Sequence, residues 1–187
     1  MLQAGQDQFL SIKALDAELA RDMADLGDYP EEFVYYAYQW GKGELAGHDG
    51  PDTWQLGWLK EWGQEIRLRG FDGLLPVAPV RMSTTSGHGV GKSALVAIVV
   101  DCIMSTRPHC KGIITANTSP QLETKTWAEI TKWTKRCITR HWFKLTGGRG
   151  AMKMVHKDHP DSWRVDAMAW RKDQPEAFAG LHAANST

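Results

Sequence analysis

The segment Ser83 to Leu95, STTSGHGVGKSAL, sets Gly87, Gly89 and Gly91, then Lys92 and Ser93, between small polar residues and an aliphatic run. Few short strings constrain a chain more. Glycines permit backbone conformations and close approaches that a Cβ forbids, so amide N–H groups can converge on one locus. A lysine and a hydroxyl directly after them, at a helix N-terminus where the dipole favours anions, complete the chemistry of a phosphate-binding loop. That mechanism demands a strand before the loop and a helix after it. LLPVAPVRMSTT is proline-broken and then β-branched, which predicts a strand at Val80 to Thr84, and KSALVAIVVDCIM predicts a buried helix ending before Pro108. The strict pattern GxxxxGK followed by Ser or Thr would need glycine at position 86, where Ser86 stands, so the flanking elements carry the reading.

The remaining segments alternate in the same sense. KGIITA predicts a short apolar strand, and SPQLETKTWAEITKWTKRCITRH a long helix with Pro120 near its start. TGGRGAM reads as a turn, followed by two strands at MKMVH and WRVDAMAW. Upstream, Leu10, Ile12, Leu15, Leu19, Met23 and Leu26 recur at helical intervals up to Gly27, and EEFVYYAYQW predicts a second helix, after Pro30, running to Gly41. GKGELAGHDGPD reads as an extended loop. Thr53 or Asp52 can cap a third helix, on which Trp54, Trp58, Trp62 and Ile66 share one face at the spacing of packed residues. The predicted fold is α/β: a P-loop NTPase-type parallel sheet flanked by helices, incomplete, with a helical N-terminal lead over residues 1–73 and the partial core over 74–187.

At 187 residues the chain suits one ordinary core with an appendage, and 42% hydrophobic with 24% charged residues excludes a disordered or fibrous chain. The run ALVAIVV stops at Asp101, short of the roughly 20 apolar residues of a membrane span, so no membrane partner is expected. MLQAGQDQF has neither the basic start nor the apolar segment of a secretory signal, which points to the inside of a cell. Cys102, Cys110 and Cys137 show no CxxC pairing and suit reduced thiols better than a disulfide frame; His109 beside Cys110 offers only two ligands of the four that structural zinc requires. The nine tryptophans suit core and helix-contact positions, with base stacking as the alternative. Net charge is zero but unevenly spread: residues 1–80 hold 14 acidic and 6 basic side chains, residues 107–172 hold 14 basic and 5 acidic. Such a field either draws a polyanion to the C-terminal half or holds the two halves together.

Several strings in order resemble one family. WGKGELAGHDGPDTWQ, SGHGVGKSAL, TANTSPQLETKTW, RHWF and EAFAGLH together look like the ATPase domain of a phage or prophage terminase large subunit, over roughly Glu32 to His182. The resemblance implies an ATP-driven motor, with a nuclease domain, that moves double-stranded viral DNA into a capsid alongside a terminase small subunit and a portal protein. It would work in the cytoplasm of a bacterial host cell, with self-association belonging to the complete motor. Carried over, Gly87, His88, Gly89, Val90, Gly91, Lys92 and Ser93 match the Walker A loop, Lys92 on the phosphates of ATP and Ser93 on Mg2+. Trp54 and Gln55 resemble an adenine-recognising pair, although by pattern alone Trp54 belongs to a packed face and Gln55 to a solvated one. Many terminases carry an arginine where this chain has His88; Arg149 in TGGRG is an alternative source. Hydrolysis also needs a Walker B strand ending in Asp-Glu, and no Asp-Glu pair occurs in the sequence. In the family that strand follows the segment matching EAFAGLH, so a chain truncated before Walker B, with no catalytic residues of its own, is the expectation. The alternative is a small non-catalytic nucleotide-fold protein that binds a terminase, a portal or DNA.

Overall fold

The computed structural model describes residues 2–72, 75–87, 89–148 and 152–169, with side chains from Ile12 onward in its first helix. The chain divides into two units, Met1–Thr85 with Ser105–Arg107, and Ser86–Met104 with Pro108–Thr187. Among the described residues no helix is long and apolar enough to cross a membrane.

The first unit is helical. Helix α1 (Leu2–Asp25) buries Met23 near its C-terminal end, while Ile12 and Leu15 of the same stripe stay exposed. A turn of 3-10 helix at Leu26–Asp28 leads to α2 (Pro30–Ala37), which opens on proline because a first-turn residue needs no N–H partner. The predicted continuation to Gly41 does not form. Tyr38 instead turns extended and packs its buried ring edge-on against Phe33 and Trp40, and Trp40 Nε1 donates to Val34 O at 2.8 Å. Within the glycine-rich stretch that follows, Gly43–Leu45 makes a 3-10 turn that buries Leu45.

Helix α3 (Thr53–Arg69) starts at Asp52 with a capping box closed by Gln55 and stops at Gly70, whose φ of 58° is the left-handed conformation that glycine adopts without strain. Its buried seam is Gln55, Leu59 and Gly63; Trp54, Trp58, Trp62 and Ile66 are only half-buried, which corrects the face expected from tryptophan spacing. The reason is the approach of α2. A Cβ on Gly63 would stand 3.0 Å from Pro30 Cδ and closer still to Glu31 Oε2, so the glycine seam, not the tryptophans, admits the neighbouring helix. Arg67 then bridges the pair, donating to Asp28 O at 2.6 Å and Glu31 Oε1 at 3.0 Å with its guanidinium over the Tyr29 ring. Arg107 of the same unit donates to Gly27 O at 2.9 Å and pairs with Asp28.

The second unit is α/β, a mixed sheet of four strands flanked by helices. Helix α4 (Lys92–Thr106) is apolar around most of its circumference, and Leu95, Ala97, Ile98, Cys102 and Met104 are buried as that composition requires. Strand β1 (Lys111–Ile114) follows. The next helix, expected to be one piece, is a short α5 (Ser119–Gln121), a π turn (Leu122–Trp127) and α6 (Ala128–Arg136), with a 3-10 turn at Ile138–Trp142. Then come β2 (Phe143–Thr146), β3 (Met152–His156) and β4 (Arg164–Ala167).

The sheet order is β1-β4-β3-β2, with β1 parallel to β4 and the other two pairs antiparallel. The all-parallel expectation therefore gives way to a mixed sheet. Residues 147–151 and 157–163 are connections too short for the crossover of a dozen or more residues that parallel neighbours need. A second correction concerns Val80 to Thr84, which form no strand and lie largely exposed. Pro76 and Pro79 remove two backbone donors just upstream.

One face of the sheet is core. Trp163 just before β4, His156 on β3 and Phe143 on β2 stand side by side, the first two stacked at 4.2 Å and 4°, and Val165, Met154 and Met152 lie further along. Trp163 Nε1 donates to Met104 O at 2.9 Å, fixing this face to the end of α4, and Trp127 Nε1 donates to Thr146 O at 3.1 Å, fixing the π turn to β2.

Candidate functional site

The glycine loop leads straight into α4. Gly89 and Gly91 have φ of 80° and 83°, the left-handed region that a side chain would strain, and the first α-helical bond runs from Leu95 N–H to Gly91 O at 3.0 Å. The amides at the very start of α4 therefore lack intrahelical acceptors, and the helix dipole places partial positive charge beside them. Lys92 folds back over the loop. Its ammonium donates to Ser86 O and Ser86 Oγ, both at 2.9 Å, and to Gly87 O. Among the described residues nothing stands within 4 Å of where a Cβ on Gly87 or Gly89 would be, so their side of the loop is open. Ser93 is exposed, and Val90 presents its side chain outward.

These features fit an anion. A cation, a helix N-terminus and two left-handed glycines converge beside an open space, and the triphosphate of ATP would be held there by the loop amides and Lys92. The fit to magnesium is incomplete, since Ser93 offers one hydroxyl and among the described residues no three His, Cys, Asp or Glu side chains are grouped to hold a metal ion. Asp101 is the only carboxylate on α4, nine residues beyond Lys92 and thus about 13 Å along the axis. It is sealed in the core, where Thr134 Oγ1 donates to its Oδ1 at 2.6 Å. His88, Arg149 and the EAFAGLH segment lie outside the described residues.

Trp54 and Gln55 belong to the first unit. Gln55 is not the solvated residue its type suggests: it is buried, and its Oε1 accepts the Asp52 N–H at 2.9 Å as the third-position partner of the capping box. Trp54 is half-buried. Two features were not singled out from sequence. Ser86, the residue that spoils the strict loop pattern, supplies two of the acceptors for Lys92. His109, His156 and His159 gather around Trp163, with ring centroids of His109 and His159 4.9 Å apart and His109 Nδ1 2.9 Å from Ser162 Oγ. The clustering of histidines near that tryptophan in the sequence was the available signal for the second.

Fold and loop together define a class: an α/β unit whose apolar helix begins at a lysine-bearing glycine loop suited to a phosphate. No family model, curated protein or solved structure matches the chain closely enough to narrow that class.

Proposed function

We propose that this chain is the ATP-binding part of a terminase large subunit, the DNA-packaging motor ATPase of a tailed phage or prophage. The observation that carries the reading is Lys92, held over Ser86 and Gly87 at the start of an apolar helix behind two left-handed glycines. The string resemblance from Glu32 to His182 supports the narrower assignment to terminases. In this reading the loop amides, Lys92 and the helix dipole would hold the phosphates of ATP, and the Ser93 hydroxyl would hold its magnesium. ATP bound with magnesium would supply the phosphoryl chemistry. With no Asp-Glu pair in the sequence, a metal carboxylate and a water-activating base would come from other residues of a longer motor, and this chain alone should bind ATP without steady turnover. Duplex viral DNA, a terminase small subunit and a portal are its implied partners.

A second reading, a non-catalytic nucleotide-fold protein, is favoured by one observation: the carboxylate on the loop's own helix, Asp101, is buried against Thr134. Calorimetric titration with ATP and magnesium tests both. Charge-assisted contacts contribute about 1.5 to 3 kcal/mol, so Lys92→Ala should weaken ATP binding roughly 10- to 100-fold while the fold melts as before. Equal binding by the variant would remove the phosphate-loop reading. Steady hydrolysis abolished by Lys92→Ala would show that the chain holds its own base.

A further inference from the structure

The sheet has a second face, and its composition is unlike the first. Cross-strand partners share a face and successive residues alternate, so the register sets Lys111, Arg164, Val155 and Lys144 in one row across β1, β4, β3 and β2. Two residues along, Ile113, Asp166, Lys153 and Thr146 form the next row on that face. Lys111 and Lys144 are exposed, Ile113 is 38% exposed, and Lys153 is half-buried. Val155, the one buried member, sits between Arg164 and Lys144, long side chains whose aliphatic stems can flank it. Arg164 is committed within the face: it makes a two-pronged pair with Asp166, Nε to Oδ2 at 2.6 Å, which raises its pKa further. The excess charge is thus three lysines.

Lys111 lies directly across from Arg164, whose charge Asp166 balances, so the lysines are left as the net charge of this face. A sheet that keeps them on an accessible face is suited to a polyanion. The patch spans three strand spacings between Lys111 and Lys144, about 14 Å, with Lys153 about 7 Å along the strands. This matches phosphates on the two sides of a groove about 12 Å wide. Single-stranded nucleic acid is a poorer match, since binding it relies on exposed aromatic rings, and on this sheet Phe143 and Trp163 lie buried on the opposite face.

We propose that the Lys111, Lys144 and Lys153 face of the sheet is a docking surface for the phosphate backbone of duplex DNA. The choice of duplex DNA rests on the packaging reading above; the charge argument stands on the sheet alone. The test is fluorescence anisotropy with a labelled 30-base-pair duplex, nucleotide-free, over a series of salt concentrations. Each phosphate contact adds about 0.9 to the salt slope. Lys111→Ala/Lys144→Ala/Lys153→Ala should therefore flatten the slope by about 2 to 3 and weaken binding at low salt, with an unchanged circular-dichroism melt and retained ATP affinity. Lys132→Ala/Lys135→Ala, on α6, should leave the slope near its original value. Equal losses from the two variants would overturn the proposal, as would no duplex binding at low salt, or binding of polyglutamate in preference to the duplex. A chain that binds ATP but not duplex refutes this surface and leaves the nucleotide reading standing; the reverse result separates them the other way.

Discussion

Gln55→Ala separates two roles for one side chain. Gln55 is 5% exposed at the third position of α3, and its Oε1 takes the Asp52 N–H at 2.9 Å. Removing it opens the capping box, at about 1 kcal/mol, and strips roughly a methylene and an amide from a packed position, at about 1 kcal/mol more. For a chain of this size each kcal/mol moves a melting midpoint by about 2 to 4 °C, so a fall of roughly 4 to 8 °C is expected. The assay is a thermal melt followed at 222 nm, paired with ATP and GTP titrations well below the transition. A lower melt with unchanged preference for ATP over GTP assigns Gln55 to the cap alone. A melt within about 1 °C of wild type would refute the capping argument, and loss of ATP preference would then give the amide to the adenine base.

Two other perturbations follow from a buried and a half-buried group. Thr134→Val deprives the Asp101 carboxylate, 1% exposed, of a donor at 2.6 Å, and should destabilise by about 2 to 3 kcal/mol in urea titration; a loss under about 0.5 kcal/mol would mean that the hydrogen bond is not stabilising. Burial pushes the Cys110 thiol up from an ordinary 9.0 to about 11. The folded state therefore binds this proton more tightly than the unfolded state, and the associated stability is full below pH 9 and lost as pH rises through 11. At 1.36 kcal/mol per unit the loss is about 2 to 3 kcal/mol, so the stability difference between wild type and Cys110→Ala should shift by that amount between pH 9 and 11. A pH-independent difference, or rapid alkylation of Cys110 at pH 8, would contradict the raised pKa that its partial burial produces.

Helix boundaries were legible where local chemistry fixes them. Pro30 opens α2, Asp52 caps α3 and Lys92 begins α4 as the sequence indicates. Strands β1, β3 and β4 also lie where short apolar runs predicted them. What failed depends on partners. Val80 to Thr84 have strand-like composition, but composition cannot supply a neighbouring ladder. Strand β2 begins at Phe143, inside a segment read only as part of a family string, and exists because β3 pairs with it. The tryptophans of α3 have the period of a packed face, yet Gly63 decides which side meets α2, and a glycine contributes nothing to an apolar count. At the loop, the start of α4 at Lys92 could be read from sequence, whereas Ser86 as acceptor and Gln55 as cap emerge only in the folded chain.

The π turn at Leu122–Trp127 bears on how this chain can tolerate change. Leu122 and Trp127 are both buried although five residues apart, a spacing that in an α-helix would leave them about 140° out of line. Thr124 Oγ1 donates to Pro120 O at 2.7 Å within the irregular turn. Deleting one residue between 122 and 127 would restore a regular ladder, a local gain by any propensity scale. It would also bring Leu122 and Trp127 to the four-residue spacing of one helix face, about 40° apart, leaving Ile130, Trp133 and Thr134 on that face and Thr134 beside Asp101. The π turn is thus where this helix can lose a residue and keep its buried face, whereas the same deletion between Ala128 and Trp133 would turn Thr134 about 100° away from Asp101.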